Sequence, residues 1–254
     1  MIFEPIDHQS TARAVEAQIE SRILQGVLRV GDRLPGERAL ADQLAVSRPI
    51  VRQALASLEE RKLLTTRRGG GTFVADVIGT LFAPPVVDLI SQDNRARSDF
   101  LDYRREMEAM TAGLAARRAT DADRALLGRI CDDMEAAHTL RDPAREAELD
   151  VELHSTITEC AHNILLLHTM RACYRLLSDD VFFNRAQLYD DVDARETLMQ
   201  QHLAIVAAIQ ARDEAQAAEA AARHIAFIIE KSVEIRQRAE RLTIAEVRLA
   251  QRRQ

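Results

Sequence analysis

The stretch from residue 11 to residue 75 reads helix, helix, tight turn, helix, hairpin, and that order constrains the fold more than any other feature of the chain. Thr11 can cap a first helix reaching about Gln25, with Val15, Ile19 and Ile23 repeating every four residues and Gly26 as a stop. LRVGDRLP turns the chain at Gly31 and Pro35, and a second helix is expected over Glu37–Leu44. Ala45 and Val46 make a tight turn, and Ser47 caps a third helix that tolerates Pro49 in its first turn. Val51, Ala54, Leu55 and Leu58 form the i, i+3, i+4, i+7 set of its inner face. LLTTR and TFVA then read as two short strands around Gly69, Gly70 and Gly71, whose glycines permit the positive φ of a hairpin turn. Such an order is that of a winged helix-turn-helix.

Charge adds a second argument. The chain carries a formal net charge of −6, which by itself speaks against a polyanionic partner. Yet between Arg48 and Thr72 six basic residues (Arg48, Arg52, Arg61, Lys62, Arg67, Arg68) face only Glu59 and Glu60. A small basic patch on an acidic chain suits a duplex-binding module joined to something else. Arg48 and Arg52 are four apart and share the outer face of the third helix, where a guanidinium can contact guanine O6 and N7 in bidentate fashion. The glycine-rich tip, with Arg67 and Arg68, can come close to a phosphate or the minor groove.

The run LPGERALADQLAVSRPIVRQALASLEERKLLTTRRGGGTFV resembles the DNA-binding domain of GntR-type transcription regulators over about 65 residues. The resemblance implies that Arg38, Arg48 and Arg52 touch operator DNA, with Ser47 and, at the wing, Gly69 adding backbone and groove contacts. Ile50 stands where the family often has Thr, and an apolar side chain there can meet a thymine methyl.

From residue 98 to residue 239 the pattern is almost unbroken helix, rich in Ala, Leu, Arg and Glu, with no strand signal. Six or seven helices are expected, near 98–119, 121–140, 143–161, 163–187, 194–211 and 213–239, with a tail that could add one more. Asp121 and Asp142-Pro143 are placed to start helices, and Asn163 to cap one. The fold class is therefore mainly α: a winged helix-turn-helix at 1–75, a linker at 76–97 containing Pro84 and Pro85, an antiparallel helical bundle at 98–239, and an Arg-rich tail at 240–254. Aromatic residues make up only 4% with no Trp, which excludes a base-stacking single-strand binder. No apolar run approaches the roughly 20 residues of a membrane helix, and the N-terminus lacks a signal-peptide pattern, so a cytoplasmic protein without a membrane partner is expected. Cys131, Cys160 and Cys173 have no CxxC spacing and read as packing residues in a reducing compartment.

Four polar residues fall on apolar faces of the second part. Asp150 and His154 are one turn apart, on the side of Leu153, Ile157 and Ala161. His202 lies with Ile205, Val206 and Ile209, and His224 with Ala221 and Ile228. Each could be a hydrogen-bonded core residue. If the four converge, a shared divalent metal would satisfy them together, and neutral imidazoles with one carboxylate suit Zn, Ni, Mn or Fe(II). Sequence alone leaves convergence open.

DYRREMEAMTAGLAARRAT, DVELHSTITECAHNILL, QQHLAIVAAI and ARRHIAFI together resemble the all-helical effector domain of the FadR branch of GntR regulators, over essentially all of 98–235. In the metal-containing members an Asp-x-x-x-His and two later His bind the ion. Asp150, His154, His202 and His224 match that pattern, and zinc is the ion expected first. Arg104 matches an arginine that receives the effector carboxylate, with a surface position or a pair with Glu108 four residues on as the alternative. AHNILLLHTMR and RRHIAFIIE look most like the pyruvate-, lactate- and glycolate-responsive regulators, which implies a 2-oxo or 2-hydroxy acid as effector. The resemblance also implies a homodimer on a palindromic double-stranded operator, acting as a repressor. The alternatives are a metal-dependent enzyme acting on a small organic acid, which lacks a positioned base and leaves the DNA module without a role, and a GntR regulator with structural histidines and a different effector.

Overall fold

The computed structural model describes residues 8–67, 69–76, 85, 86, 89, 93–178, 188, 189 and 191–252. The chain forms two compact units, 1–79 and 80–254, which are taken in turn.

In the first unit α1 (His8–Leu24), α2 (Glu37–Leu44) and α3 (Arg48–Glu60) precede the strands β1 (Leu64–Arg67) and β2 (Gly71–Val74). Helix α1 begins at His8, so Thr11 lies inside it and is not its cap. Gly26 follows at φ 77°, as a helix stop requires. Ala45 takes the left-handed conformation at φ 53° and closes α2 with its N–H on Ala41 and Asp42 carbonyls. Ser47 then stands at the N-cap position of α3, although its hydroxyl makes no cap bond, and Pro49 sits in the first turn. Val51, Ala54, Leu55 and Leu58 are all buried, as the spacing requires, and pack with Val15, Ile19, Ile23 and Leu64 into one core.

Strands β1 and β2 pair antiparallel with Leu64 opposite Val74 and Arg67 opposite Gly71. The turn works because Gly69 and Gly71 both have positive φ, 74° and 101°. A Cβ on Gly71 would lie 3.0 Å from Arg33 Nε. Arg33 bridges to Phe73 and Leu34 donates to the Thr72 carbonyl, so the chain before α2 adds a third edge to the wing. Glu59 accepts from the Thr66 backbone and hydroxyl, tying the end of α3 to β1. Two helices, a left-handed tight turn, a third helix and a hairpin wing make the winged helix-turn-helix.

The second unit is an antiparallel helical bundle. Its described helices are α4 (Asn94–Arg118), α5 (Asp121–Leu140), α6 (Pro143–Cys160), α7 (Ile164–Ser178), α8 (Val192–Gln210) and α9 (Glu214–Gln251). Helix α4 packs most extensively on α9 and also meets α6 and α8, while α8 meets α5 and α9. Caps set the boundaries. Asp93 accepts from Arg95 and Ala96 N–H, which starts α4 four residues before position 98. Thr120, not Asp121, is the N-cap of α5, in a reciprocal capping box with Asp123. Asp142 caps α6 with Pro143 behind it, and Asn163 Oδ1 accepts from Leu166 N–H. Helix α9 runs without a break from Glu214 to Gln251, because no Gly or Pro interrupts it, so the tail continues the last bundle helix. The part of the expected 163–187 helix beyond residue 178 lies outside the described residues.

The core is built from small and branched residues, among them Ala112, Ala115, Leu127, Leu153, Ile205, Ile209 and Ala220. Cys131, Cys160 and Cys173 are free and buried, and burial pushes the first two thiols up to about 11 and about 12, as for packing residues. No described helix is long and apolar enough to cross a membrane.

Candidate functional site

Inside the apolar bundle four polar side chains are almost fully excluded from water: Asp150 and His154 on α6, His202 on α8 and His224 on α9. Their sequence faces made burial predictable. The structure adds that they converge, with one potential ligand atom from each lying within 4.8 Å of the others. His202 Nε2 lies 3.1 Å from Asp150 Oδ1, His154 Nε2 lies 3.6 Å from the same oxygen, and His154 and His224 bring their Nε2 atoms to 3.2 Å.

The outer nitrogens explain why this arrangement fits a cation. His154 Nδ1 donates to Glu108 Oε2 at 2.7 Å, and His224 Nδ1 donates to Gln201 Oε1 at 3.0 Å. Burial alone would push the Glu108 carboxyl up, but the adjoining His154 and Arg104 hold it well below the usual carboxylate range. An ionised carboxylate can only accept, so His154 carries its proton on Nδ1. Burial drives the His224 imidazole well below its ordinary pKa, and His202 and His154 push the same way, so that ring is neutral. The two facing Nε2 atoms meet at 3.2 Å beside the Asp150 carboxylate. A divalent ion between them and Asp150 would use every inner donor. Three imidazoles and one carboxylate, oriented from outside by a carboxylate and an amide, are a donor set suited to zinc or another first-row divalent ion.

Arg104 on α4 lies beside this cluster and is 2% exposed. Its Nε donates to Glu108 Oε1 at 2.9 Å, so the pairing expected from the spacing is present. Both terminal nitrogens are buried without a hydrogen-bond partner among the described residues. A guanidinium so placed leaves two parallel donors for a planar anion. Gln201 meanwhile lines an open cleft of about 470 Å³ on the α8–α9 face. His162, at φ 45°, is half exposed on Asp123, away from the four-residue cluster.

On the first unit Arg38, Ser47, Arg48, Arg52 and Gly69 are all exposed, as a surface that reads DNA requires. Ile50 is part-exposed and packs against the core of the unit. Arg68 lies outside the described residues. Its neighbour Arg67 stacks over the Phe73 ring at 4.6 Å. Sequence reasoning missed Glu37 at the start of α2. Its carboxylate takes Arg52 Nε at 3.2 Å and Nη2 at 2.8 Å, and Arg48 Nη2 lies 3.8 Å away. Glu108 and Gln201 were likewise missed as the groups that orient two imidazoles. The acid next to arginine in PGERALA was a signal for the first; nothing local marked the other two.

A winged helix-turn-helix joined to a helical bundle is the architecture of a DNA-binding transcriptional regulator rather than an enzyme. Comparison with known proteins gives the family. Residues 11–74 match the bacterial regulatory proteins of the gntR family and residues 99–227 match the FCD domain. The chain is 36% identical over 218 residues to an Escherichia coli protein named "Putative L-lactate dehydrogenase operon regulatory protein", covering 84% of this chain and 83% of that one. It is 31% identical over 222 residues to the Glc operon transcriptional activator of Escherichia coli, covering 86% and 87%. A solved GntR structure from Streptococcus agalactiae superposes with a TM-score of 0.53 at 28% identity, covering 87% of this chain and 99% of the other. This protein belongs to the GntR family of DNA-binding transcriptional regulators and carries an FCD domain.

Proposed function

We propose that the protein is a repressor whose affinity for a palindromic operator is lowered by a small 2-oxo or 2-hydroxy acid, such as pyruvate or lactate, bound at a metal site in the helical unit. The observation that carries this reading is the convergence of Asp150, His154, His202 and His224 inside the bundle, with both terminal nitrogens of Arg104 buried beside them without a hydrogen-bond partner among the described residues. Asp150, His154, His202 and His224 would hold the ion, with zinc the best match and nickel, manganese or iron able to substitute. When bound, the ion supplies open coordination positions for the acid's carboxylate and its neighbouring oxygen. Arg104 receives the carboxylate, Glu108 and Gln201 fix the two imidazoles, and the apolar bundle keeps bulk water away. The two relatives named for lactate-dehydrogenase and Glc operons favour a short hydroxy acid over a long acyl ligand.

On the operator, Arg38, Ser47, Arg48, Ile50, Arg52, Arg68 and Gly69 are the contacts, with Ile50 supplying an apolar edge. Glu37 holds the Nε–Nη2 edge of Arg52 and leaves the Nη1–Nη2 end for guanine. The protein acts as a homodimer, one head to each half-site. An effector can switch it only by binding the DNA-competent and DNA-incompetent states unequally, and about 1–3 kcal/mol of such coupling changes operator affinity roughly 5–150-fold.

Fluorescence anisotropy on the protein's own promoter, at fixed salt near 150 mM because such affinities depend steeply on salt, tests the proposal. Pyruvate, L-lactate, glycolate and a longer acyl ligand are added in turn, with zinc and with a chelator. Release by one short acid, lost on chelation, is expected. Tight binding unmoved by any acid overturns the effector, and release that survives complete chelation overturns the metal.

A further inference from the structure

One buried acid of the proposed site grips both a proposed ligand and the arginine. Glu108 is 5% exposed on α4, and its carboxylate faces neither open solvent nor the converging inner nitrogens. Its two oxygens are divided between two partners: Oε1 takes Arg104 Nε at 2.9 Å, and Oε2 takes His154 Nδ1 at 2.7 Å. A pair serving only to neutralise Arg104 would engage the terminal nitrogens as well, in the bidentate fork such pairs favour. Here the carboxylate sits on the Nε edge alone, and both terminal nitrogens stay unpartnered.

We propose that Glu108 is the positioning residue that joins the two halves of the site, fixing His154 to present Nε2 inward while holding Arg104 with its terminal nitrogens free. The inference rests on the metal reading above and adds to it a residue that touches neither ion nor acid. Two features of the geometry support it. His154 is held by Glu108 across 46 residues of sequence, from α4 to α6, so the imidazole's orientation depends on how those two helices pack. And because the same carboxylate grips Arg104, a change at the arginine is transmitted to the imidazole through two short hydrogen bonds. Outer partners of ligating histidines act in this way generally, and removing one typically costs about 10–100-fold in metal affinity.

The experiment is zinc binding to the full chain, measured by competition with a chromophoric chelator and with no organic acid present, for the wild type, His202→Ala, Glu108→Gln, Arg104→Met and the Glu108→Gln/Arg104→Met double variant. Cobalt(II) absorption spectra are recorded for each. Glu108→Gln is expected to bind one zinc per chain about 10–100-fold more weakly and to shift the cobalt bands. Arg104→Met, which also removes a charge that acts on Asp150, is expected to weaken zinc by a smaller factor, and the two effects should be strongly non-additive in the double variant. The double variant removes both buried charges together, so it guards against a single variant that fails to fold around an unpaired guanidinium. Unchanged zinc affinity and cobalt spectra in Glu108→Gln or in the double variant overturn the positioning role, since a purely structural pair would alter only melting temperature. Additive effects of the two substitutions overturn the link between Arg104 and His154. A wild type that takes up no zinc, or a His202→Ala variant that binds as the wild type does, overturns the underlying metal reading instead.

Discussion

Removing the metal should cost the helical unit stability by an amount that can be stated in advance. The four converging groups are held within 4.8 Å in a dry core, a geometry absent from the unfolded chain, so an ion bound there stabilises the native state by mass action. With free zinc buffered at a hundred times its dissociation constant the gain is about 2.7 kcal/mol. For a unit spanning 80–254, a size at which 1 kcal/mol moves the midpoint by about 2–4 °C, that is a rise of roughly 5–11 °C over the chelated protein. The assay is differential scanning calorimetry of the full chain in zinc buffers and in excess chelator, following the transition that responds. His202→Ala removes a fully buried inner nitrogen and should flatten the response. The metal-free forms of wild type and variant should differ less than the zinc-loaded forms, because the lost imidazole acts on the ion only when the ion is bound. A wild-type midpoint that is the same in zinc and in chelator, or a full zinc shift in the variant, refutes the reasoning.

Arg52→Ala should cost about 1–3 kcal/mol on operator DNA and much less on a scrambled duplex, measured by anisotropy on both. Glu37→Gln should leave scrambled-duplex binding intact or stronger, since it removes a negative charge beside two arginines, while narrowing the gap between operator and scrambled DNA as Arg52 loses its brace. Leu58→Ala, at a fully buried position of α3, should destabilise the first unit by about 2–5 kcal/mol in urea unfolding without altering zinc binding.

The first unit was nearly legible from its residues because its determinants are local. The inner face of α3, the Ala45 turn and the glycine hairpin each depend on spacing within about one element, and each is found as the spacing requires. The errors are local too. Thr11 competes as a cap with a sequence that can continue one turn earlier, and Thr120 outranks Asp121 because Asp123 completes its capping box. The tail from 240 onward continues α9, since no Gly or Pro interrupts it. Ile50, on the recognition helix, also packs on the core of the unit.

In the helical unit the ligand set was legible and its support was not. A histidine on an apolar face announces burial, since the ring must find partners there. Convergence from α6, α8 and α9 depends on helix packing, which one sequence does not display, and Glu108 and Gln201 reach their histidines across 46 and 23 residues. Their roles appear only once distances are known.

The placement of these groups also bears on how an occupied site could be felt elsewhere. Asp150 and His154 belong to α6, His202 to α8 and His224 to α9, so an ion ties three helices to one point. Arg104 and Glu108 belong to α4, the first long helix of the second unit. Arg104 is ten residues into that helix, about 15 Å along its axis from Asn94. An acid drawing Arg104 towards the ion therefore pulls on α4, whose most extensive packing is with α9, which carries His224. A substitution that loosens α4 from α9 without touching a site residue should accordingly leave zinc and acid binding intact and weaken the operator response. Gly113→Ala is such a change: its new Cβ would lie 3.3 Å from the Glu214 carbonyl at the start of α9, tighter than ordinary contact. Undiminished operator release by the effector in that variant, at normal acid affinity and with a demonstrable shift of α9, would mean that the signal leaves the site by another helix.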